Sequence, residues 1–242
     1  MSNPYFQFKQ FIIQQDRCAM KVTTDACLFG AWISEKAKDQ KSKAKNVLDI
    51  GCGTSLLSLL LAQKNNNVII DAIEIDKEAA EQAKQNVAAS PWSDRINIIN
   101  ADARSFPFSK KYDLIISNPP FYENELRSEN DRKNIAHHSN DLGLRELLSI
   151  TKNLLTETGT FCFLFPYKRK DEIERSLKAC SLFIYKLLLV KQSVKHDYFR
   201  VMIEGGLKEI PEIITEEISI WDDKQQYTKE FAELLKEYYL YL

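Results

Sequence analysis

Tyr112-Asp113-Leu114-Ile115-Ile116-Ser117-Asn118-Pro119-Pro120-Phe121 joins an apolar run to a pair of prolines. Tyr112 to Ser117 is long enough for a buried parallel strand. Two prolines cannot continue a hydrogen-bonded ladder, so the strand stops there. Asn118 is then presented at the strand's C-terminal edge, with the Phe121 ring three positions on. An open α/β sheet binds its ligands at that edge. A carboxamide oxygen beside a stacking ring suits a planar group that carries an NH2, such as adenine. Taken alone, the same residues also read as a Pro-Pro loop ending on a packed Phe.

A regular alternation surrounds this strand. Strands are expected at Asn46 to Ile50, Val68 to Ile75 and Ile96 to Ala101, with helices at Ser55 to Lys64 and Lys77 to Ala89. After Ser117 the pattern predicts a helix over Leu142 to Leu155, a strand over Thr160 to Phe165 and a helix over Lys168 to Ala179. Strands Phe183 to Val190 and Tyr198 to Glu204 follow. Such alternation implies an α/β fold with a mostly parallel, seven-stranded, doubly wound sheet and helices on both faces. The last two strands are joined only by the polar stretch Lys191 to Asp197, which predicts an antiparallel hairpin at one sheet edge. Upstream, Phe6 to Val22 reads as a hairpin turning at Gln14-Gln15-Asp16-Arg17. Thr24 is the expected N-cap of a helix from Asp25 through Trp32. A terminal helix is expected over Phe231 to Tyr239. We read 1–242 as a single domain, with 1–33 a hairpin and helix, 121–141 a substrate lid loop and 211–242 an acidic docking segment.

The 242 residues suffice for one α/β domain with a sizeable core, and 44% hydrophobic with 28% charged residues is an ordinary globular balance. No apolar stretch reaches the ~18 residues of a membrane-spanning helix, and Met1 to Gln10 lacks a signal pattern. A cytoplasmic protein is expected, with no membrane contact and no obligate protein partner. The five cysteines (18, 27, 52, 162 and 180) form no C-x-x-C pair, so reduced thiols and no metal are expected. The net charge is −1, but Pro211 to the end carries eight acids against three bases, while Phe161 to Lys208 carries ten bases against five acids. That asymmetry permits a basic face in spite of the neutral total.

The strand ends carry the chemistry. The first is followed by Gly51-Cys52-Gly53-Thr54-Ser55, where two glycines allow a sharp turn and close ligand approach. Leu56 stands at the third glycine position of the dinucleotide fingerprint, so a phosphate cradle matches poorly. Asp49 would repel a pyrophosphate, but it suits a cationic ligand such as an amino-acid ammonium. Glu74, 23 residues after Gly51, lies where an acid binds ribose hydroxyls in nucleotide-binding α/β folds. Asp102, at the third strand's end, is placed to accept the NH2 of an adenine. Each acid alone is also a plausible loop or cap residue; four strand ends carrying Asp49, Glu74, Asp102 and Asn118 in order are harder to obtain by chance.

Over residues 44 to 206 that set resembles the Rossmann-like class I S-adenosylmethionine-dependent methyltransferases. Asn118 to Phe121 resembles the N-P-P-[FYW] motif of enzymes that methylate exocyclic base amines or a glutamine amide. Arg17 to Val22, Thr24-Asp25, Leu28 to Trp32, Ala136-His137-His138 and Tyr227 to Glu230 extend the resemblance over nearly the whole chain, to the bacterial family that methylates adenine N6 in a valine tRNA. The resemblance implies S-adenosylmethionine as cofactor, S-adenosylhomocysteine as product and the tRNA anticodon stem-loop as partner, with the adenine beside the anticodon (adenine-37) as target. It assigns Lys21, Thr24, Asp49, Gly51, Cys52, Gly53, Thr54, Glu74, Ile75, Asp102, Ala103 and Asn118 to the cofactor. Asn118, Pro119, Pro120 and Phe121 are the catalytic set. Phe121, Tyr122, Arg127, Arg132, Lys133, His138, Lys168, Arg169, Lys195 and Arg200 are the expected RNA contacts, with Lys170 adding phosphate attraction; Arg200 reads equally well as a salt-bridged strand residue. Two positions depart from the family pattern. Thr23 and Ser55 stand where glycine is frequent; a serine at 55 is accommodated if its φ is negative, so the departure weakens the inference of cofactor binding without excluding it. The rival readings are a methyltransferase acting on guanine N2 of rRNA or on a glutamine N5, and a non-catalytic RNA-binding module.

Overall fold

The computed structural model describes residues 3–38, 45–119 and 142–242. It opens with a two-stranded hairpin, β1 (Tyr5–Gln7) and β2 (Ile12–Gln14), then helix α1 (Thr24–Lys38). The hairpin turns earlier than expected. Lys9 and Gln10 make the bend, Phe8 N–H donates to Phe11 O at 2.9 Å, and the flanking Phe8 and Phe11 rings stack and bury. Burial of those two rings outweighs the polar signal at Gln14 to Arg17. The cap of α1 also shifts by one residue. Thr23 Oγ1 accepts the Ala26 N–H at 3.4 Å, so Thr23, not Thr24, closes the helix start.

Strands β3 (Asn46–Ile50), β4 (Ile69–Glu74), β5 (Ile96–Asn100), β6 (Tyr112–Ser117), β7 (Leu155–Pro166), β8 (Phe183–Ser193), β9 (Tyr198–Gly206) and β10 (Ile214–Trp221) form one sheet, ordered β10-β8-β9-β7-β6-β3-β4-β5. All pairings are parallel except those of β9 with β7 and β8. The eighth strand goes beyond the seven expected. Its first four residues are exposed and include Glu216 and Glu217, a poor strand signal. Lys186 and Lys191 on β8 pair with those two acids and supply the cross-strand match. β10 therefore covers the outer edge of the β8–β9 hairpin.

Helices α2 (Leu56–Lys64), α3 (Lys77–Ala88), α4 (Leu144–Leu154), α5 (Lys170–Ala179) and α6 (Lys229–Leu235) complete the layers. Leu56 to Ala62 are all buried, because α2 is sandwiched between the sheet and α1. The contact is close: a Cβ on Gly30 would sit 2.4 Å from Leu60 Cδ1. Each fully buried leucine in this layer contributes roughly 1.5–3 kcal/mol. On the opposite face α4 and α5 pack Leu147, Leu148, Ile173 and Leu177 against Phe161, Phe163 and Phe165 of β7.

The sheet positions the site through its strand order. From β3 the chain moves outward to β4 and β5, then returns to β6 on the other side and continues to β7. The crevice outside the C-terminal ends of β3 and β6 is thus the switch point where α/β sheets bind ligands. The strand registers add a step. Ser117 pairs with Phe163, yet β7 continues to Pro166; Pro166 pairs with Arg200, Arg200 with Val190, and β8 continues to Ser193. The rim therefore rises from β6 towards β8.

Candidate active site

The turn after β3 needs glycine twice. Gly51 and Gly53 have φ of +71° and +52°, in the left-handed region. An added Cβ at either position meets nothing within 4 Å, so their bare faces border open space. That space belongs to a cavity of ≈ 410 Å³ lined by Gly51, Gly53, Glu74, Ile75, Asp102, Ala103 and Asn118 together with apolar residues such as Ile50, Ile73 and Leu142. Its volume is in the range of small-molecule and cofactor sites. Ser55 does not meet the condition of a negative φ: it holds +66° and is fully buried. The start of α2 imposes this bend. Ser55 N–H donates to Cys52 O at 2.7 Å, and its carbonyl already accepts the Leu59 N–H. A left-handed serine is worse than a glycine there by roughly 1–2 kcal/mol.

The carboxylates differ in their surroundings. Glu74 accepts the Gly53 N–H at 2.9 Å on Oε2 and the Asp76 N–H at 3.0 Å on Oε1. Burial pushes its pKa up, against the pull of those backbone donors. Asp49 is wholly buried behind the glycine turn. Burial raises its pKa to about 7, opposed by the Ser58 hydroxyl, which donates to Oδ2 at 2.7 Å, and assisted by the charge of Glu74. Its Oδ1 has no hydrogen-bond partner among the described residues. A buried acid with a vacant oxygen favours a cationic neighbour. Asp102 is more exposed and is clasped by Arg104, whose Nε and Nη2 reach both carboxylate oxygens. That guanidinium holds the Asp102 carboxyl below its ordinary range.

Asn118 follows β6 directly. Ser117 Oγ donates to Ile50 O at 2.8 Å, tying the ends of β6 and β3 together, so Asn118 and the glycines border one cavity. Pro119 is buried. Pro120, Phe121, Tyr122, Arg127, Arg132, Lys133 and His138, and with them the expected lid, lie outside the described residues. Lys21, Thr24, Asp49, Cys52 and Thr54 do not line the cavity. Lys21 instead donates to Gln15 O and Cys18 O, pinning the N-terminal loop so that Cys18, Ala19 and Met20 form a wall. From the sequence only the lysine of that loop stands out as a site residue; the short apolar trio beside a cation is the signal for the wall. Arg104 is a further site residue absent from the expected set, two residues from Asp102 and so within easy reach of it.

Of the expected RNA contacts, Lys168 is exposed, Arg169 pairs with Glu172 at 2.7 Å and Lys195 lies on the exposed β8–β9 turn. Arg200 pairs with Asp25 at 2.6 Å, which favours the salt-bridge reading of that residue. Among the described residues no helix is long and apolar enough to cross a membrane.

Residues 34–168 match the family described as Methyltransferase small domain. A tRNA1(Val) (adenine(37)-N6)-methyltransferase from Dyadobacter fermentans is 41% identical, covering 98% of each chain. One of the same name from Bacteroides thetaiotaomicron is 39% identical over the whole of both chains. Among solved structures, an S-adenosylmethionine-dependent methyltransferase from Clostridium acetobutylicum superposes with a TM-score of 0.54 at 17% identity, covering 77% of this chain and 93% of that one. The glycopeptide N-methyltransferase MtfA bound to S-adenosylmethionine superposes at 0.55 and 11% identity, covering 74% and 94%. These two show the shared fold.

Proposed function

Because this chain belongs to the methyltransferase small domain family, with full-length relatives named tRNA1(Val) (adenine(37)-N6)-methyltransferases, we propose that it methylates N6 of adenine-37 in a valine tRNA in the cytoplasm. The observation that carries the reading is the single cavity bordered by Asn118, the two bare glycines, Glu74 and Asp102. Those residues fit S-adenosylmethionine. Asp49, buried behind the glycine turn and not itself lining the cavity, favours its ammonium through charge rather than contact, Glu74 suits the ribose hydroxyls and Asp102 suits the adenine amine, with Arg104 yielding part of its hold. When bound, this cofactor supplies a methyl group on a positively charged sulfur and leaves as S-adenosylhomocysteine.

The chain's own part is positioning. The N6 lone pair of adenine is delocalised into the ring and is a poor nucleophile. Asn118 Oδ1 and the Pro119 carbonyl accept its two hydrogens, which favours a pyramidal nitrogen with its lone pair directed at the methyl group. Phe121, three residues beyond Asn118, stacks on the extruded base, a contact of ~1–3 kcal/mol. Extrusion is required because a stacked base hides N6. Once N–CH3 has formed, the surplus proton departs to solvent, so no dedicated base is assigned. Methylation of total tRNA by the purified chain, followed by nucleoside mass analysis, tests the reading. N6-methyladenosine is expected; N2-methylguanosine, or no product, would overturn it. The relatives do not favour the guanine, glutamine or non-catalytic alternatives.

A further inference from the structure

A second basin of ≈ 360 Å³ lies at the far end of the same rim, lined by Gln192, Ser193, Lys195, His196, Trp221, Asp222, Asp223 and Gln225. Topology puts it on the ligand side. β8 and β10 are mutually parallel, and two antiparallel steps through β9 restore the direction of β7 and β6. Ser193 and Trp221, which end β8 and β10, therefore point the same way along the sheet as Asn118.

The basin is built, not incidental. Val194 N–H donates to Trp221 O at 3.0 Å, stapling the β8–β9 turn to the end of β10. Asp222 accepts the N–H groups of Lys224 and Gln226 at 2.8 and 2.9 Å, closing the turn on the other side. Trp221 stacks on Tyr227 with centroids 4.1 Å apart, and Tyr227 stacks on the fully buried Phe231 at 4.6 Å. This three-ring column roots Trp221, a residue that also borders the basin, in the core. Two carboxylates disfavour a bare phosphate. An indole with a carboxylate and the amides of Gln192 and Gln225 suits the flat face and amino-bearing edge of a nucleobase. Lys195 at the lip suits the phosphate beside it. Between Asn118 and the basin, in strand order, lie the Tyr167 and Tyr198 rings, 5.0 Å apart, with Lys191 Nζ 4.8 Å from the Tyr198 ring. Rings and cations in alternation are how single-stranded nucleic acid is tracked.

We propose that the Trp221 basin is a second base-binding subsite, taking an unpaired loop base of the same RNA that delivers the target adenine. This rests on the RNA reading above. Three strand spacings across and about five residues along put it on the order of 20 Å from Asn118. Roughly six stacked nucleotides at ~3.4 Å each cover that distance, the scale of a hairpin loop.

The test uses an RNA hairpin with the anticodon stem and loop of a valine tRNA, intact or with one loop base removed at a time. Trp32 and Trp92 are buried, so RNA quenching of tryptophan fluorescence reports chiefly on Trp221. We expect quenching that is lost in Trp221→Phe. Asp223→Ala, at an exposed position, and Trp221→Ala are expected to raise KM for the hairpin about tenfold, with kcat and cofactor affinity unchanged. Removal of one particular loop base should weaken the wild type and leave Trp221→Ala unaffected. If the wild type methylates the hairpin but the variants keep its KM, or quenching survives Trp221→Phe, the subsite is wrong and the tRNA reading stands. If the wild type neither binds nor methylates the hairpin, both fail.

Discussion

β5, β4, β3 and β6 run five, six, five and six residues and are all parallel, whereas β7, β9, β8 and β10 run 12, 9, 11 and 8 and include the reversed strand β9. The short half ends in glycines, buried acids and Asn118, and it encloses a cavity. The long half climbs past it and ends in aromatic and charged side chains open to solvent. The contrast teaches that a small, shared ligand needs convergence, met by strands stopping at one level, while an extended partner needs reach. Asn118 sits at the seam.

Four measurements can break or sharpen this division. The largest effect is expected at the seam. Asn118→Ala should lower kcat by about 100-fold or more, by analogy with loss of one transition-state hydrogen bond, while cofactor affinity from equilibrium binding moves little. Equal losses in both would mean that the seam serves the cofactor half alone. Next comes the stability of the long half. A Cβ on Gly205 in β9 would sit 2.3 Å from Phe183 O and 2.4 Å from Phe161 Cζ. Gly205→Ala should therefore cost about 2 kcal/mol in urea unfolding. An unchanged midpoint would show that β8 and β9 yield more readily than their packing implies.

The third concerns the buried acid of the short half. Asp49 rises from 3.8 to about 7 on folding. Its contribution to stability is full below pH 3.8 and is lost as pH rises through about 7, because the native state holds its proton longer. Binding of a cationic ligand has the opposite sign, since it needs the ionised form. Cofactor affinity should climb up to about tenfold per unit below pH 7, and Asp49→Asn should flatten that climb. Glu74, also raised, is the neighbouring group to control with Glu74→Gln. A slope that persists in Asp49→Asn would assign the titration elsewhere. The smallest effect is at Ser55: Ser55→Gly should raise thermal stability by about 1 kcal/mol or less, relief of backbone strain being partly offset by a freer unfolded chain. A drop in stability would mean that the buried hydroxyl has an unseen role.

The two halves also differed in legibility. β3, β4 and β6 were readable because they are mostly apolar, buried runs stopped by glycine, acid or proline, and the partly exposed edge strand β5 because isoleucine and asparagine share its length. β10 was not, because its first half faces water and takes its pairing from lysines 30 and 26 residues upstream of its two glutamates, Lys186 for Glu216 and Lys191 for Glu217. The left-handed Ser55 was likewise invisible, since its backbone is set by where α2 must start. Arg104 clasping Asp102 and Lys21 pinning the loop of Cys18 to Met20 are side-chain choices that residue type permits without selecting. The Trp221 column needed three rings brought together from a strand, a turn and a helix.

The match to the methyltransferase small domain begins at residue 34, within α1 (Thr24–Lys38), while the full-length relatives also cover the segment before it. Leu28, Phe29 and Ala31 are wholly buried, and Gly30 is bare so that α1 can press against Leu60. A fragment cut at that point would leave α2, buried from Leu56 to Ala62, with one flank wet. The span of the domain match and the span of the packed core thus draw different borders on this chain.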